Sequence, residues 1–241
     1  MAEDGDSSGR IAPTTSKLLI GIISVLVSIL AVACGLIELE SSKETTAVRS
    51  GTSRVYNPAE ASEALQELEV AQQGSMAGYS RKKFPHWSNA DEFGWDAPDP
   101  SCNTREAALI RDGESVEVED SCKVVSGKWP DPYTGKTYSR PSDIDIDHVV
   151  PLANAWRSGA SSWDDKQRER YANDPDVLLS VEDDANQAKG DKGPEAWKPP
   201  NEAEWCDYAE RWIQIKDKYD LSVNEQEKDA IEQMLGTCTE G

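Results

Sequence analysis

Aspartate at every second position, followed at once by histidine, sets apart the stretch Asp143-Ile144-Asp145-Ile146-Asp147-His148-Val149-Val150-Pro151. A carboxylate beside an imidazole suits hydrolysis. The Asp oxygen binds a hard cation, and a His with an ordinary pKa of about 6.5 takes a proton from water. Two other uses of these residues compete. A calcium loop of the Asp-x-Asp-x-Asp kind needs Gly at its sixth position and Glu at its twelfth, where this chain has His148 and Asn154. An acidic strand face carrying a hydrogen-bonded His would need no ligand at all. The chain has only two His, His86 and His148, which excludes a zinc centre built from several imidazoles. His86 precedes Trp87 in an aromatic stretch and is expected to pack rather than react.

The elements around this stretch must bring further groups to it. Alternation over residues 143–147 predicts a strand with apolar and acidic faces, broken by Pro151. Consecutive strand residues point to opposite faces, so Asp147 and His148 share a site only if the strand ends or bulges there. Residues 162–171 read as a charged helix with Ser162 and Asp165 in capping-box spacing. Residues 177–181 form a short apolar strand. Asp183 or Asp184 then caps a brief helix over 185–189, closed by Gly190. Upstream, Asn57-Pro58-Ala59-Glu60 starts a helix, 104–111 suits another, and 115–119 and 122–126 read as strands. Residues 131–135 carry turn chemistry.

Near the C-terminus, Asn201 and Glu204 are spaced to cap a helix running to about Tyr219. Asn224 and Glu227 cap a second one. Their short link makes them antiparallel neighbours. Such a hairpin brings Cys206 beside Cys238. Of five Cys, Cys34 sits in an apolar segment, so the remaining pair is Cys102 with Cys122. No CxxC occurs, which argues against a zinc ribbon or a dithiol redox site.

Composition bounds the function. The 241 residues carry 25 Lys and Arg against 45 Asp and Glu, a net charge of −20. That excludes a broad basic surface as a source of nucleic-acid affinity, but not a local grip on phosphate through a metal ion. Residues 18–37 form an uncharged apolar run preceded by Lys17. About 20 helical residues span a bilayer. Ala31-Val32-Ala33 fits a signal-peptidase site. An uncleaved anchor, a cleaved signal and a lipoprotein signal cut before Cys34 all fit. Each exports the rest of the chain, to the medium or the outer face of a bacterial cell membrane. The organisation expected is a signal or anchor at 1–37, a flexible linker at 38–56 and a folded domain at 57–241.

Taken in order, the motifs Gly78-Tyr79-Ser80-Arg81, Cys102-Asn103-Thr104-Arg105, Trp129-Pro130-Asp131-Pro132-Tyr133-Thr134-Gly135, Asp147-His148-Val149-Val150-Pro151-Leu152, Tyr171-Ala172-Asn173-Asp174-Pro175 and Ala185-Asn186-Gln187-Ala188-Lys189-Gly190-Asp191 carry a resemblance. The chain resembles the HNH endonucleases, and within them an exported branch similar to the C-terminal nuclease domain of the GmrSD restriction enzymes. The likeness runs from roughly Leu65 to Cys238. It implies an α+β fold around a ββα-metal (HNH, or His-Me finger) core, with added helices and the disulfide-clamped hairpin at the C-terminus. It makes His148 the general base, and Asp147 and Asn186 the ligands of a divalent metal. These are hard oxygen donors, for which magnesium is the expected ion. Where the HNH signature has its central, base-orienting Asn, this chain has Val177. Asn173 or the backbone is then expected to orient the base.

Arg81, Arg105 and Lys189 are candidate phosphate contacts. The expected substrate is nucleic acid, DNA ahead of RNA, cut by a monomer that meets the membrane only if its N-terminal segment is retained or lipidated. Activity should rise with pH through a midpoint near neutrality as His148 loses its proton. The alternative is a catalytically inactive, surface-attached binding or structural protein that keeps the fold.

Overall fold

A computed structural model describes residues 56–238; the apolar run 18–37 and residues 38–55 of the linker lie outside the described residues. Helix α1 (Pro58–Glu67) starts at Asn57, whose side chain accepts from the Ala59 and Glu60 amides while Glu60 accepts from the Asn57 amide. This reciprocal cap satisfies donors that have no partner within the first turn. Tyr56, the last linker residue, already donates its hydroxyl to Asp217. At helix α2 (Thr104–Asp112) the Asn103 side chain accepts from the Arg105 and Glu106 amides, while Glu106 turns to the Val124 amide instead of closing a reciprocal cap. The helix leads into an antiparallel sheet of β1 (Glu114–Glu119), β2 (Lys123–Pro130) and β3 (Thr137–Tyr138). A disulfide joins Cys102, just before α2, to Cys122 at the start of β2.

A second antiparallel pair is formed by β4 (Ile144–His148) and β5 (Leu178–Glu182). Helices α3 (Leu152–Arg157) and α4 (Asp165–Asn173) lie between these strands in sequence, and α5 (Asp183–Lys189) follows β5 directly. The register is continuous from Ile144 opposite Glu182 to His148 opposite Leu178. Ile144, Ile146 and Leu178 pack with Leu109 and Trp129 in one hydrophobic cluster. Asp145 and Asp147, on the other face, meet side chains of α5. The cap of α4 is Asp164 with Gln167, two residues beyond the expected Ser162, which donates to the Gly159 carbonyl. Glu182 rather than Asp183 or Asp184 caps α5, by accepting from the Ala185 amide.

Helices α6 (Trp205–Lys218) and α7 (Glu225–Leu235) form the C-terminal hairpin, joined by a Cys206–Cys238 disulfide. The capping box at Asn224 and Glu227 forms. The one at Asn201 does not, because its amide donates to the Pro132 carbonyl and a 3-10 turn precedes α6. Tyr208, Trp212, Ile213 and Ile215 of α6 pack with Tyr171, Ile231 and Met234 in the larger cluster. Among the described residues no helix is long and apolar enough to cross a membrane.

An ion pair lies inside this hairpin. Lys216 Nζ is 3.0 Å from Glu227 Oε1, with side chains 0% and 1% exposed. The ammonium also donates to Asn154 Oδ1, Ser158 Oγ and the Ser222 carbonyl, tying α6 to α3. Trp212 Nε1 donates to the same Glu227 oxygen at 2.7 Å. Glu227→Ala strands the ammonium and should cost about 3–5 kcal/mol in urea unfolding, whereas Lys216→Met with Glu227→Leu should cost much less. Equal losses in the two variants would show that the charges are not paired.

Candidate active site

His148 is the last residue of β4 and shares the face of Ile144 and Ile146 by strand alternation. Its side chain is buried. Nε2 lies 3.0 Å from the Ala172 carbonyl at the end of α4. A carbonyl can only accept, so Nε2 carries the proton and Nδ1 is left with the lone pair. Burial first, then the nearby Arg81 guanidinium, pulls the His148 pKa down to about 3. The imidazole is therefore neutral across the physiological range, and the expected midpoint near neutrality is corrected. The ring is walled by His86, at 5.9 Å and perpendicular, and by Trp87 at 6.1 Å. His86 donates from Nδ1 to the Phe84 carbonyl at 2.7 Å.

Asp147 points the other way, toward α5. Helix residues three apart share a face, so Asn186 and Lys189 meet Asp145 and Asp147 respectively. Lys189 Nζ lies 2.9 Å from both Asp147 oxygens and 3.1 Å from the His148 carbonyl. Tyr133 donates to Asp147 Oδ2 at 2.6 Å. Lys189 is 0% exposed, so it cannot reach a bound phosphate, and the expectation that it would is corrected. Burial lowers its pKa while Asp147 pushes it back up. Asn186 donates its amide nitrogen to Asp145 Oδ2 at 3.1 Å, which leaves its Oδ1 available.

The strand ends at His148 without a bulge, and there the two faces open on one cavity of about 200 Å³. Its wall includes Arg81, Asp147, His148, Asn186 and Asp191. Arg157 holds Asp191 by its carboxylate at 2.9 Å and its carbonyl at 3.0 Å. Arg81 is exposed and makes no ion pair with another described residue. Arg105 is not part of the wall; it pairs with Glu106 at 2.7 Å.

Asn173 does not touch the His148 ring. Its buried amide accepts from the Ser88 amide and Thr104 Oγ1 and donates to the Pro85 and Glu169 carbonyls. Orientation of the imidazole comes from the neighbouring Ala172 carbonyl. No local signal marks Tyr133 as part of the site, because residues 131–135 read as a turn. The packing of His86 and Trp87 against His148 is likewise a contact between distant segments.

The donors fit a hydrated divalent cation. Asp147 Oδ2 takes both Tyr133 and Lys189, whereas Oδ1 takes Lys189 alone and keeps a lone pair. Asn186 Oδ1 is the second oxygen on the same cavity.

Residues 100–234 match the family model described as GmrSD restriction endonucleases, C-terminal domain. A protein of Arthroderma benhamiae described as an uncharacterized secreted protein is 52% identical over 176 residues, which cover 72% of this chain and 82% of that relative. No solved structure matches the chain.

The buried neutral His148 has a consequence for folding. Between about pH 6.5 and its folded pKa of about 3, the unfolded chain binds a proton that the folded chain does not. Stability therefore rises with pH across that window and is lost as pH falls through it, by up to about 1.4 kcal/mol per pH unit from this group. Urea unfolding at pH 6.5 and 4.5 should show a smaller loss on acidification for His148→Phe than for the parent. Equal losses would mean that the imidazole is protonated in the folded state.

Proposed function

The chain belongs to the family of GmrSD restriction endonuclease C-terminal domains, and on that footing we propose that it is an exported, metal-dependent endonuclease hydrolysing phosphodiester bonds in nucleic acid. The observation that carries this reading is the His148 imidazole, fixed by the Ala172 carbonyl with Nδ1 unprotonated on a cavity that also holds Asp147 and Asn186. The succession β4, β5, α5, with His148 ending the first strand and Asn186 on the helix, supports a ββα-metal core.

In this reading His148 Nδ1 takes the proton from the attacking water. The neutral ring has an unprotonated nitrogen for that role because the Ala172 carbonyl takes the Nε2 proton. Ala172 does through its carbonyl what a central Asn does in the HNH signature, so Val177 is no obstacle. Asp147 and Asn186 would hold the divalent ion, with magnesium as the expected one. When bound, that ion supplies charge stabilisation at the phosphate and its leaving oxygen. Tyr133 and Lys189 keep the Asp147 carboxylate in place. Arg81, at the cavity mouth, meets a non-bridging phosphate oxygen.

DNA is the substrate put forward ahead of RNA. Export is supported by the secreted relative, by the two disulfides and by the apolar run near the N-terminus.

Nicking of supercoiled plasmid in magnesium, abolished by EDTA, tests the activity. His148→Ala should lower the rate by about 100- to 10,000-fold with thermal unfolding little changed. Asn186→Ala should regain part of its activity at high magnesium, because excess metal offsets a lost ligand but not a lost base. Asp147→Ala is a poorer probe, since it leaves Lys189 buried without a counter-ion. A folded His148→Ala variant that cuts like the parent would place the active site elsewhere.

A further inference from the structure

Residues 80–88 reach the cavity through Arg81 and pack on the His148 ring through His86 and Trp87, and they carry features that the hydrolytic roles above leave unused. The 3-10 turn Arg81–Lys83 carries three consecutive exposed cations, the first of them on the cavity wall, in a chain of net charge −20. None of the three forms an ion pair with another described residue. By contrast, Arg157 pairs with Asp191 and Arg168 with Asp165.

Four residues beyond the turn, Trp87 holds a backbone φ of +63°. A bulky side chain rarely adopts that region, and it persists only where the surroundings impose it. Here they do. Asn173 donates to the Pro85 carbonyl and accepts from the Ser88 amide, bracketing Trp87, and Arg168 donates to the Lys83 carbonyl. The strained turn sets a half-buried indole 6.1 Å from the His148 ring.

We propose that residues 80–88 bind a single nucleic-acid strand, Arg81 and Lys82 on backbone phosphates and the Trp87 indole stacked on an unpaired base next to the scissile bond. This deepens the nuclease reading and rests on it. Aromatic faces beside a short cationic track are how single strands are held, since every unpaired base offers a π-face. In a duplex those faces are already covered, and exposing one requires unstacking. A duplex also presents two strands of phosphate, which suits an extended basic surface that a chain of −20 does not have. Arg81 and Lys82 match the few phosphates of one strand, while Lys83 lies over the Trp156 ring at 5.0 Å. The substrate class is therefore single-stranded or locally opened nucleic acid.

The test is fluorescence anisotropy of the full-length chain with a labelled 12-nucleotide strand and with the same strand in a duplex, in EDTA so that no cleavage intervenes. The strand should bind tighter than the duplex by about tenfold or more, the scale of one stacked base. Trp87→Phe should keep most of that preference and Trp87→Ala should lose it. Trp87→Gly should lose it too while the backbone stays folded, because glycine accepts φ +63° without strain. Arg81→Ala with Lys82→Ala should lower the slope of log affinity against log salt by about 1.4.

Equal affinity for strand and duplex, or a folded Trp87→Gly that binds as the parent does, overturns the proposal. The nuclease reading fails separately. A chain that binds the strand through Trp87 but never cuts in magnesium loses the activity and keeps the binding element. One that cuts through His148 yet ignores Trp87 loses only the binding element.

Discussion

Lys189 holds an ammonium with no access to solvent, and the geometry of the cavity follows from how that charge is satisfied. Burying a cation costs several kcal/mol unless a counter-charge and further acceptors meet it. Here Asp147 supplies both carboxylate oxygens and His148 its carbonyl. The end of β4 is thus fastened to the last turn of α5. Tyr133 closes the arrangement from the opposite side, so the turn that carries it is fixed as well. Asp131 in the same turn accepts from the Glu182 amide at 3.0 Å, which joins that turn to the end of β5. Each of these elements would sit differently if the ammonium were removed.

With the strand end fixed, the two-faced nature of β4 becomes useful. One face gives the imidazole a dry pocket under His86 and Trp87, where it stays neutral and keeps its Nδ1 lone pair. The other gives the carboxylate a donor-rich pocket against α5. Residues adjacent in sequence thereby acquire different surroundings, the imidazole buried near the Arg81 guanidinium and the carboxylate met directly by Lys189 and Tyr133. Both residues line the same cavity at the end of β4.

Much of this was legible where the signal is local. Alternating Asp and Ile over residues 143–147 can satisfy only a strand with one apolar face, and β4 is that strand. The capping boxes at Asn57 and Asn224 depend on residues three apart and form as spaced. Asn201 has the same spacing, but Pro132 offers its amide a better partner, and no local rule anticipates that. Lys189 reads as a surface cation because most lysines are; its burial depends on Asp147, 42 positions away. Asn173 was singled out for the right neighbourhood and the wrong contact. It braces residues 85–88, while its neighbour Ala172 meets the imidazole through a backbone group that carries no sequence signature.

The tautomer of His148 bears most directly on whether this cavity is built for taking a proton from water. Nitrogen-15 NMR of the imidazole in the full-length chain at pH 7 reads it without reference to any substrate. A site arranged as described gives a neutral ring protonated at Nε2, with Nδ1 unprotonated. A ring protonated at Nδ1, or an imidazolium, would contradict it, since neither leaves that lone pair for a water on the cavity side.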